Sequence, residues 1–340
     1  MPAKSWKAKK MTGSIEMENL TREFDGLVAV DHVTLNIKEG EVFGFLGPNG
    51  AGKTTLTKML CTLLDPTSGR AEVCGYDVVR ERDRVRECIG VVFQDPCIDK
   101  FLTGRENLDF HARMYHMEGE VMEKRMAEVL GLLELAGKEN IIVGELSCGI
   151  QRRFEVARGF MSRPRVLFLD EPTLGLDIQA RRALWSYIRR LNEQEGATII
   201  LTTHYIEEAD YLCHRVAIID HSKLVVVDAP ERLKEAVGVN LISLEVDDRG
   251  EELASLLGGQ SWIKKVERRN SSLELGVEGG EGRVLELVEL ANEQGFVITA
   301  IDLRQPSLED AFLHYTGRTI REEEGSAKDL WKARMARMRR

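Results

Sequence analysis

The chain has 340 residues, of which 43% are hydrophobic, and a formal net charge of -9. This length and apolar content suffice for one large domain and a smaller one, which excludes a disordered chain. The negative charge argues against a nucleic-acid partner, because proteins that bind nucleic acids usually carry a basic surface that neutralises phosphates.

No apolar stretch reaches the roughly 18 to 20 residues that span a bilayer, so we expect no membrane-spanning helix. The N-terminal segment MPAKSWKAKKMTG is basic but is not followed by the apolar run of a signal peptide. The six cysteines lie far apart and form no C-x-x-C pair, which favours a reducing compartment and a fold without structural metal. We therefore expect a cytoplasmic protein.

Residues 15–204 predict a parallel sheet. Residues 15–45 predict short strands that end in the apolar run VFGFL, and TTLTKMLCTLL (54–64) then has helical spacing. VLFLD (166–170) and TIILTTH (198–204) predict buried strands on either side of a helix at 179–194. Residues 101–138 are rich in helical patterns, so the alternation of strands and helices indicates a parallel sheet with a helical insertion.

The composition changes from about residue 240. Short apolar strands and helices then follow in the order β-α-β-β-α-β, which predicts a small ferredoxin-like α+β domain over residues 240–317. We expect a basic tail at 1–14 and a charged tail at 318–340, where KDLWKARMARMRR is a candidate for a basic helix.

A glycine-rich loop matches the phosphate-binding pattern G-x-x-x-x-G-K-[ST] directly between a predicted strand and a predicted helix. Its residues are Gly47, Pro48, Asn49, Gly50, Ala51, Gly52, Lys53 and Thr54. Such a loop turns its backbone N–H groups towards phosphate oxygens, while the lysine reaches the β- and γ-phosphates and the threonine binds magnesium. An ordinary glycine turn is the alternative, but this pattern arises by chance on the order of one time in a hundred.

Polar side chains follow the predicted buried strands. Asp170 and Glu171 end the run VLFLD-E, where Asp170 suits a magnesium shell and Glu171 suits the attacking water. His204 ends the next strand on the same edge and suits a γ-phosphate sensor. Gln94 follows the strand IGVVF and is placed to reach the magnesium or the water. Taken singly, a solvated turn, a surface histidine and a polar loop residue are the alternatives.

With these residues in place, the chain from about 15 to 235 resembles the nucleotide-binding subunits of ABC transporters. Residues 47–55, including Thr55, correspond to the Walker A segment, Gln94 to the Q-loop, and His204 to the switch histidine. Asp170, Glu171 and Pro172 correspond to Walker B, and LGLD (174–177) to the D-loop. The resemblance further assigns adenine stacking to Phe24 and nucleotide contacts to Ser147, Cys148, Gly149 and Asp177.

The resemblance implies a P-loop NTPase of the ABC ATPase type, spanning residues 15–235. It has an N-terminal antiparallel β subdomain and a helical insertion at about 95–160. The implied ligands are ATP and Mg²⁺, with Thr54, Gln94 and Asp170 around the metal. Two ATP molecules would lie between two such subunits, each bound by Walker A of one chain and the signature segment LSCGI (146–150) of the other.

The implied function is ATP hydrolysis that drives separate transmembrane permease subunits, with this chain peripheral on the inner face of the cell membrane. LTGRENL (102–108) and PSLEDAFLHYTGR (306–318) are similar to exporter subunits of the drug-resistance type. Cys148 departs from the family, which has a glycine there. Its side chain either crowds the γ-phosphate and slows hydrolysis or points away from it.

Other classes of protein fit the sequence less well. A soluble ABC ATPase acting on a ribosome, a DNA repair intermediate or metal-cluster assembly is the first alternative, but its translation-type members usually carry two nucleotide-binding segments. A GTPase would need an N-K-x-D-like segment, which the sequence lacks. A small-molecule-binding protein without hydrolysis would leave Glu171 and His204 without a role.

Overall fold

The computed structural model describes residues 14–238, 240–246, 249–269, 272–277 and 280–319. The predicted N-terminal tail up to residue 13 and the predicted basic helix near the C-terminus lie outside the described residues. The chain divides between Ala229 and Pro230 into two compact units, each with its own contacts.

The first unit is an α/β assembly of two sheets and seven α-helices within the described residues. Its strands are β1 (Ile15–Phe24), β2 (Leu27–Ile37), β3 (Val42–Leu46), β4 (Ser68–Val73), β5 (Tyr76–Asp77), β6 (Ile89–Val92), β7 (Val166–Asp170), β8 (Thr198–Thr203), β9 (Arg215–Asp220) and β10 (Lys223–Asp228). Its helices are α1 (Lys53–Leu60), α2 (Arg82–Cys88), α3 (Gly104–Met114), α4 (Gly119–Leu132), α5 (Cys148–Phe160), α6 (Ile178–Glu195) and α7 (Ile206–Leu212), with a 3-10 turn at Val143–Glu145.

The central sheet has the strand order β10-β9-β3-β8-β7-β6. All neighbouring strands pair in parallel except β10, which pairs antiparallel with β9. Strands β3, β7 and β8 are buried along their whole length, as their continuous apolar runs predict. Because these three strands are neighbours and run in the same direction, the residues that follow each of them meet at one edge of the sheet.

A second, antiparallel sheet has the order β2-β1-β4-β5. Helix α1 packs between the two sheets, where its Leu56, Met59 and Leu60 join a core that includes Phe45 and Phe168. Burial of each such large apolar side chain contributes about 1.5–3 kcal/mol. An isolated helix of this length is not stable in water, so this packing fixes the position of α1.

Helices α3, α4 and α5 form an insertion between β6 and β7. Thr103 begins α3 with a capping box, in which its hydroxyl accepts from the Glu106 N–H and the Glu106 carboxylate accepts from the Thr103 N–H. Arg125 of α4 is 2% exposed and donates to Glu195 Oε1 at 2.9 Å and to the carbonyl oxygen of Phe160 at 3.0 Å. Arg125 therefore holds α4 to the ends of α5 and α6.

The second unit spans residues 230–319, and its described residues form an antiparallel sheet of order β12-β13-β11-β14. Its elements are α8 (Pro230–Glu235), β11 (Asn240–Val246), α9 (Gly250–Leu257), β12 (Ile263–Arg269), β13 (Ser272–Val277), α10 (Gly280–Glu293), β14 (Ile298–Arg304) and α11 (Leu308–Thr316). Leu244, Leu253, Leu275 and Leu287 lie in its separate core. Helix α8 packs against α11 and so belongs to this unit by its contacts, whereas the sequence analysis placed residues 230–235 in the first domain.

Candidate functional site

The loop of residues 47–54 joins the buried strand β3 to helix α1. Gly50 and Gly52 have φ angles of 89° and 103°, which side chains rarely adopt. A Cβ atom on Gly52 would lie 2.2 Å from the carbonyl oxygen of Ala29, so only glycine fits there. The N–H groups in the first turn of α1 have no acceptor within the helix, and they give this loop a partial positive charge.

A cavity of about 360 Å³ opens beside this loop. It is lined by Ala29, Asn49, Gly50, Gly52, Lys53, Thr54, Thr55, Gln94 and Glu171. Its size falls in the usual range for small-molecule sites. The fold thus brings Gln94, which follows β6, and Glu171, which follows β7, to the glycine-rich loop, as the sequence predicts.

Lys53 is 5% exposed and points back over the loop. Its Nζ donates to the carbonyl oxygens of Gly47 at 2.7 Å and Pro48 at 3.1 Å, and lies 3.4 Å from Glu171 Oε1. The site therefore contains a largely dehydrated ammonium group whose charge is balanced by Glu171. Such a cation binds a phosphate group strongly when the anion replaces these partners.

Thr54 and Asp170 meet although they are far apart in the sequence. Thr54 Oγ1 donates to Asp170 Oδ1 at 3.1 Å, and Asp170 is 2% exposed. Thr54 and Gln94 line the cavity, and Asp170 adjoins it through its hydrogen bond with Thr54. A hydroxyl, an amide oxygen and one carboxylate form a set of oxygen ligands that suits Mg²⁺. Magnesium is commonly held by one or two carboxylates and by the phosphates of its substrate, so this small set fits the ion.

Glu171 lies between the lysine and the predicted histidine. Its Oε2 accepts a hydrogen bond from His204 Nδ1 at 2.7 Å, and its side chain is 5% exposed. Its backbone is left-handed, with φ 48°, and its N–H donates to Thr202 O and to Thr202 Oγ1, both at 3.1 Å. A carboxylate so held has little freedom to move, which suits a group that orients a water molecule.

Three further polar residues near the site were not among the predicted site residues. The hydroxyl of Thr202 donates to Asp170 Oδ1. The guanidinium of Arg152 reaches the backbone around Glu171, and burial lowers its pKa. Glu208 is fully buried, burial raises its pKa, and it accepts hydrogen bonds from Thr173 and Trp185. Two of them had a sequence signal: Thr202 lies two residues before His204 on a strand, and Arg152 follows the signature segment in the run Gln151-Arg152-Arg153, which is common in the family that the chain resembles.

Several predicted nucleotide contacts do not line this cavity. Phe24 lies at the end of β1, where the guanidinium of Arg22 is stacked 4.3 Å from its ring centroid. Asp177 caps helix α6, because its Oδ1 accepts from the Ala180 N–H at 2.8 Å.

The signature segment is also not part of the lining of the cavity. Ser147 is the N-cap residue of α5, and Cys148, its first residue, is exposed. A Cβ atom on Gly149 would lie 2.9 Å from Ala180 Cβ, so close packing against α6 explains this glycine. The N-terminus of α5 is thus exposed at Cys148 and lies outside the lining of the cavity.

A parallel sheet, a glycine-rich loop opening a helix and an aspartate at the end of an adjacent strand define a P-loop nucleoside triphosphatase. Comparison with known proteins narrows this class. A family model for ABC transporters matches residues 30–174.

Curated relatives match over most of their length. The daunorubicin resistance ATP-binding protein DrrA2 of Streptomyces coeruleorubidus is 36% identical over 93% of this chain and 98% of that protein. The linearmycin resistance ATP-binding protein LnrL of Bacillus subtilis is 32% identical over 91% of this chain and 100% of that protein. The Nod factor export ATP-binding protein I of Sinorhizobium fredii is 35% identical over 91% of this chain and 88% of that protein.

Two solved structures that resemble this chain are also parts of ABC transporters. CbiO1 of Clostridium perfringens, part of the ABC transporter complex CbiONQ, has a TM-score of 0.62 and 28% identity over 67% of this chain and 94% of that chain. The dimeric bacterial ABC transporter cassette MJ0796 has a TM-score of 0.58 and 29% identity over 63% of this chain and 98% of that chain.

The chain therefore belongs to the family of ABC transporter ATP-binding subunits, and its activity is the binding and hydrolysis of ATP. The family prediction and the prediction of an ATPase are confirmed. The ABC ATPase fold is confirmed as well, and the transporter subunit is favoured over the soluble ABC ATPase. Among the residues that the structure describes, no helix is both long and apolar enough to cross a bilayer.

Proposed function

We propose that the chain powers an exporter of the drug-resistance type, together with separate transmembrane permease subunits at the inner face of the cell membrane. The observation that carries the catalytic part is the meeting of Lys53, Glu171 and His204 at one edge of the sheet. The names and near-complete coverage of the DrrA2 and LnrL relatives support the exporter part. The cargo is a property of the permease partners.

Within this function, residues 47–55 bind the phosphates of ATP and Phe24 stacks on the adenine. Thr54, Asp170 and Gln94 would hold Mg²⁺, and the first two share a hydrogen bond. When bound there, the ion would neutralise charge on the phosphate oxygens. The cavity lined by loop residues and Gln94 supports the phosphate site and the magnesium site.

The contacts of Lys53 suggest how the site changes when ATP enters. The ammonium exchanges its loop carbonyls and Glu171 for phosphate oxygens, because a phosphate carries more charge than these partners. Glu171 Oε1 then becomes an acceptor for the attacking water. His204, hydrogen-bonded to Oε2, holds the carboxylate in orientation and is the proposed γ-phosphate sensor.

The exposed signature segment supports a two-fold dimer. Ser147, Cys148 and Gly149 form the N-terminus of α5, an end that favours bound anions. In our proposal this end contacts the ATP that is held by the loop of a second, identical subunit, and Asp177 lies at the same interface. The dimeric cassette MJ0796 offers a precedent for such a dimer.

The second unit is proposed to be a ferredoxin-like domain that regulates or stabilises the dimer. The β-α-β-β-α-β order from β11 to β14 supports the domain type, as does the antiparallel strand order β12-β13-β11-β14. The proposed boundaries remain those of the sequence analysis, 15–235 and 240–317, with residues 230–235 moved to the second unit because α8 packs against α11.

Glu171→Gln tests the catalytic part. This variant should bind ATP but lose turnover by about 10²-fold or more, because an amide cannot accept a proton from water. Glu207→Gln is the matched control, since Glu207 is exposed in the first turn of α7, close in sequence to His204. Lys53→Ala should instead weaken ATP binding. Unchanged turnover in Glu171→Gln, or unchanged ATP affinity in Lys53→Ala, would remove these roles.

Light scattering of Glu171→Gln tests the dimer, because trapped ATP should hold two subunits together. A monomer at saturating ATP would contradict a homodimer. The exporter part is tested by ATP-dependent efflux of a panel of antibiotics from cells that express the chain with its permease. Equal efflux with wild type and Glu171→Gln would contradict it.

A further inference from the structure

Helix α5 carries two buried charged side chains one turn apart. Arg152 is 8% exposed and Glu155 is 1% exposed. Residues three apart lie on the same face of a helix, so both extend from α5 in a similar direction. Both bind backbone groups of the segments that carry Gln94 or Glu171, and Glu155 also binds Arg158 of the same helix.

Arg152 binds carbonyl oxygens from two separate segments. Its Nε donates to Pro172 O at 2.7 Å and its Nη1 to Phe93 O at 2.8 Å. Its Nη2 donates to Asp170 O and to Glu171 O, both at 3.2 Å. Burial lowers the pKa of this guanidinium, so the hydrogen bonds offset its loss of hydration. The planar guanidinium group can donate to all these carbonyl oxygens at once, whereas the ammonium group of a lysine cannot.

The hydrogen bond from Arg152 to the carbonyl oxygen of Glu171 helps to hold a strained backbone conformation. Glu171 has φ 48°, a left-handed conformation that costs a non-glycine residue about 1–2 kcal/mol. Such strain persists only where the surroundings hold the residue. Here Thr202 holds the N–H of Glu171 and Arg152 holds its carbonyl oxygen, so the carboxylate depends on contacts at both ends of the residue.

Glu155 binds the C-terminal end of the segment that carries Gln94. Its Oε1 accepts from the N–H of Cys97 at 2.7 Å and of Ile98 at 2.6 Å, and its Oε2 accepts from Arg158 at 3.1 Å. Arg152 binds the carbonyl oxygen of Phe93 just before Gln94. Residues 93–98 are therefore held at both ends by α5, at the start by a cation and at the end by an anion.

We propose that Arg152 and Glu155 are positioning residues for ATP hydrolysis, which fix Glu171 and Gln94 to helix α5. A displacement of α5 then moves both groups together. This inference rests on the proposed roles of Glu171 and Gln94. Helix α5 begins at the signature segment. When that segment contacts the nucleotide of a second subunit, any shift of α5 therefore also moves Glu171 and Gln94 in the active site of its own subunit.

The test compares Arg152→Gln and Glu155→Gln with Arg125→Gln in the full-length chain. Arg125 is a matched control because it is also buried and also donates to backbone carbonyls, those of Phe160 and Met161 at the far end of α5. Turnover, the ATP dissociation constant and the thermal midpoint are measured for each variant. Wild type and Glu171→Gln are measured beside them.

We expect Arg152→Gln to lower kcat by about 10- to 100-fold while the ATP dissociation constant stays within about threefold, since small misplacements of catalytic groups have effects of this size. Arg152→Lys should recover only a minor part of the loss. Arg125→Gln should lower the thermal midpoint by a similar amount and keep kcat within about twofold of wild type.

Hydrogen exchange gives a readout that does not depend on turnover. The amides of Cys97 and Ile98 should exchange faster in Glu155→Gln, because a neutral amide is a weaker acceptor than a carboxylate, and should be unchanged in Arg125→Gln. If Arg152→Gln does not fold, the kcat and exchange of Glu155→Gln decide the question.

The inference is overturned if Arg152→Gln keeps its turnover within about twofold of wild type, or if Arg152→Gln and Arg125→Gln lose turnover equally at equal loss of stability. It is also overturned if weaker ATP binding accounts for the whole loss of turnover in Arg152→Gln. Full activity of Glu171→Gln would refute the proposed function itself, whereas an inactive Glu171→Gln beside a fully active Arg152→Gln refutes only the positioning role.

Discussion

Gly52→Ala should weaken ATP binding by roughly 10- to 100-fold, because the added methyl group would clash with the backbone of Ala29. The substitution adds a methyl group at a residue with φ 103°, and its Cβ would lie 2.2 Å from the carbonyl oxygen of Ala29. Carbon and oxygen atoms that are not bonded normally approach to about 3.3 Å, so the loop must move by about 1 Å. Lys53 and Thr54 directly follow Gly52 and would move with it.

The expected magnitude follows from two separate effects. The left-handed backbone alone costs alanine about 1–2 kcal/mol of stability, with or without ATP bound. Displacement of the loop adds the loss of charge-assisted hydrogen bonds to phosphate, each worth about 1.5–3 kcal/mol, so ATP affinity should fall by roughly 10- to 100-fold.

Gly137→Ala separates the two effects. Gly137 has φ 84°, is exposed in the helical insertion, and a Cβ atom there would meet no atom within 4 Å. Its free energy of unfolding should fall by about 1–2 kcal/mol while ATP affinity stays unchanged. Equilibrium binding of a fluorescent ATP analogue and urea denaturation measure both quantities. Gly52→Ala that binds ATP as tightly as Gly137→Ala would refute the steric reasoning.

Three further predictions concern other parts of the chain. Burial, aided by the charge of Arg158, lowers the pKa of His111 from 6.5 to about 4, so its neutral ring stabilises the fold above pH 6.5 and this stability is lost as the pH falls towards 4. Urea denaturation should show about 2 kcal/mol less stability at pH 5 than at pH 7 for wild type, and a smaller difference for His111→Phe; equal slopes would contradict this. Cys148→Gly should raise the ATPase rate about tenfold for each 1.4 kcal/mol of crowding that it relieves, and an unchanged rate would mean that the thiol points away from the nucleotide. A chain that ends at Ala229 should still bind ATP, because every residue that lines the cavity precedes this point; a folded fragment without ATP binding would contradict the division.

The sequence alone predicted the residues whose chemistry depends on their immediate neighbours. The glycine-rich loop is a continuous pattern, and Asp170 and Glu171 end an apolar run that is readily identified as a buried strand. Parallel strands then bring Lys53, Glu171 and His204 to one edge of the sheet, and the distances agree with this expectation. The family followed from the order of these segments along the chain.

Only the tertiary structure decided what holds these residues in place. Thr202, Arg152 and Glu155 bind the active-site segments from distant parts of the chain, and Arg152 and Glu155 do so through backbone atoms that carry no sequence signature. The contact of Lys53 with Glu171 and the assignment of α8 to the second unit likewise depend on packing. Local patterns determine which groups can react, because the chemistry resides in the side chains. The positions of those groups depend on long-range hydrogen bonds and burial, which form only when the chain has folded.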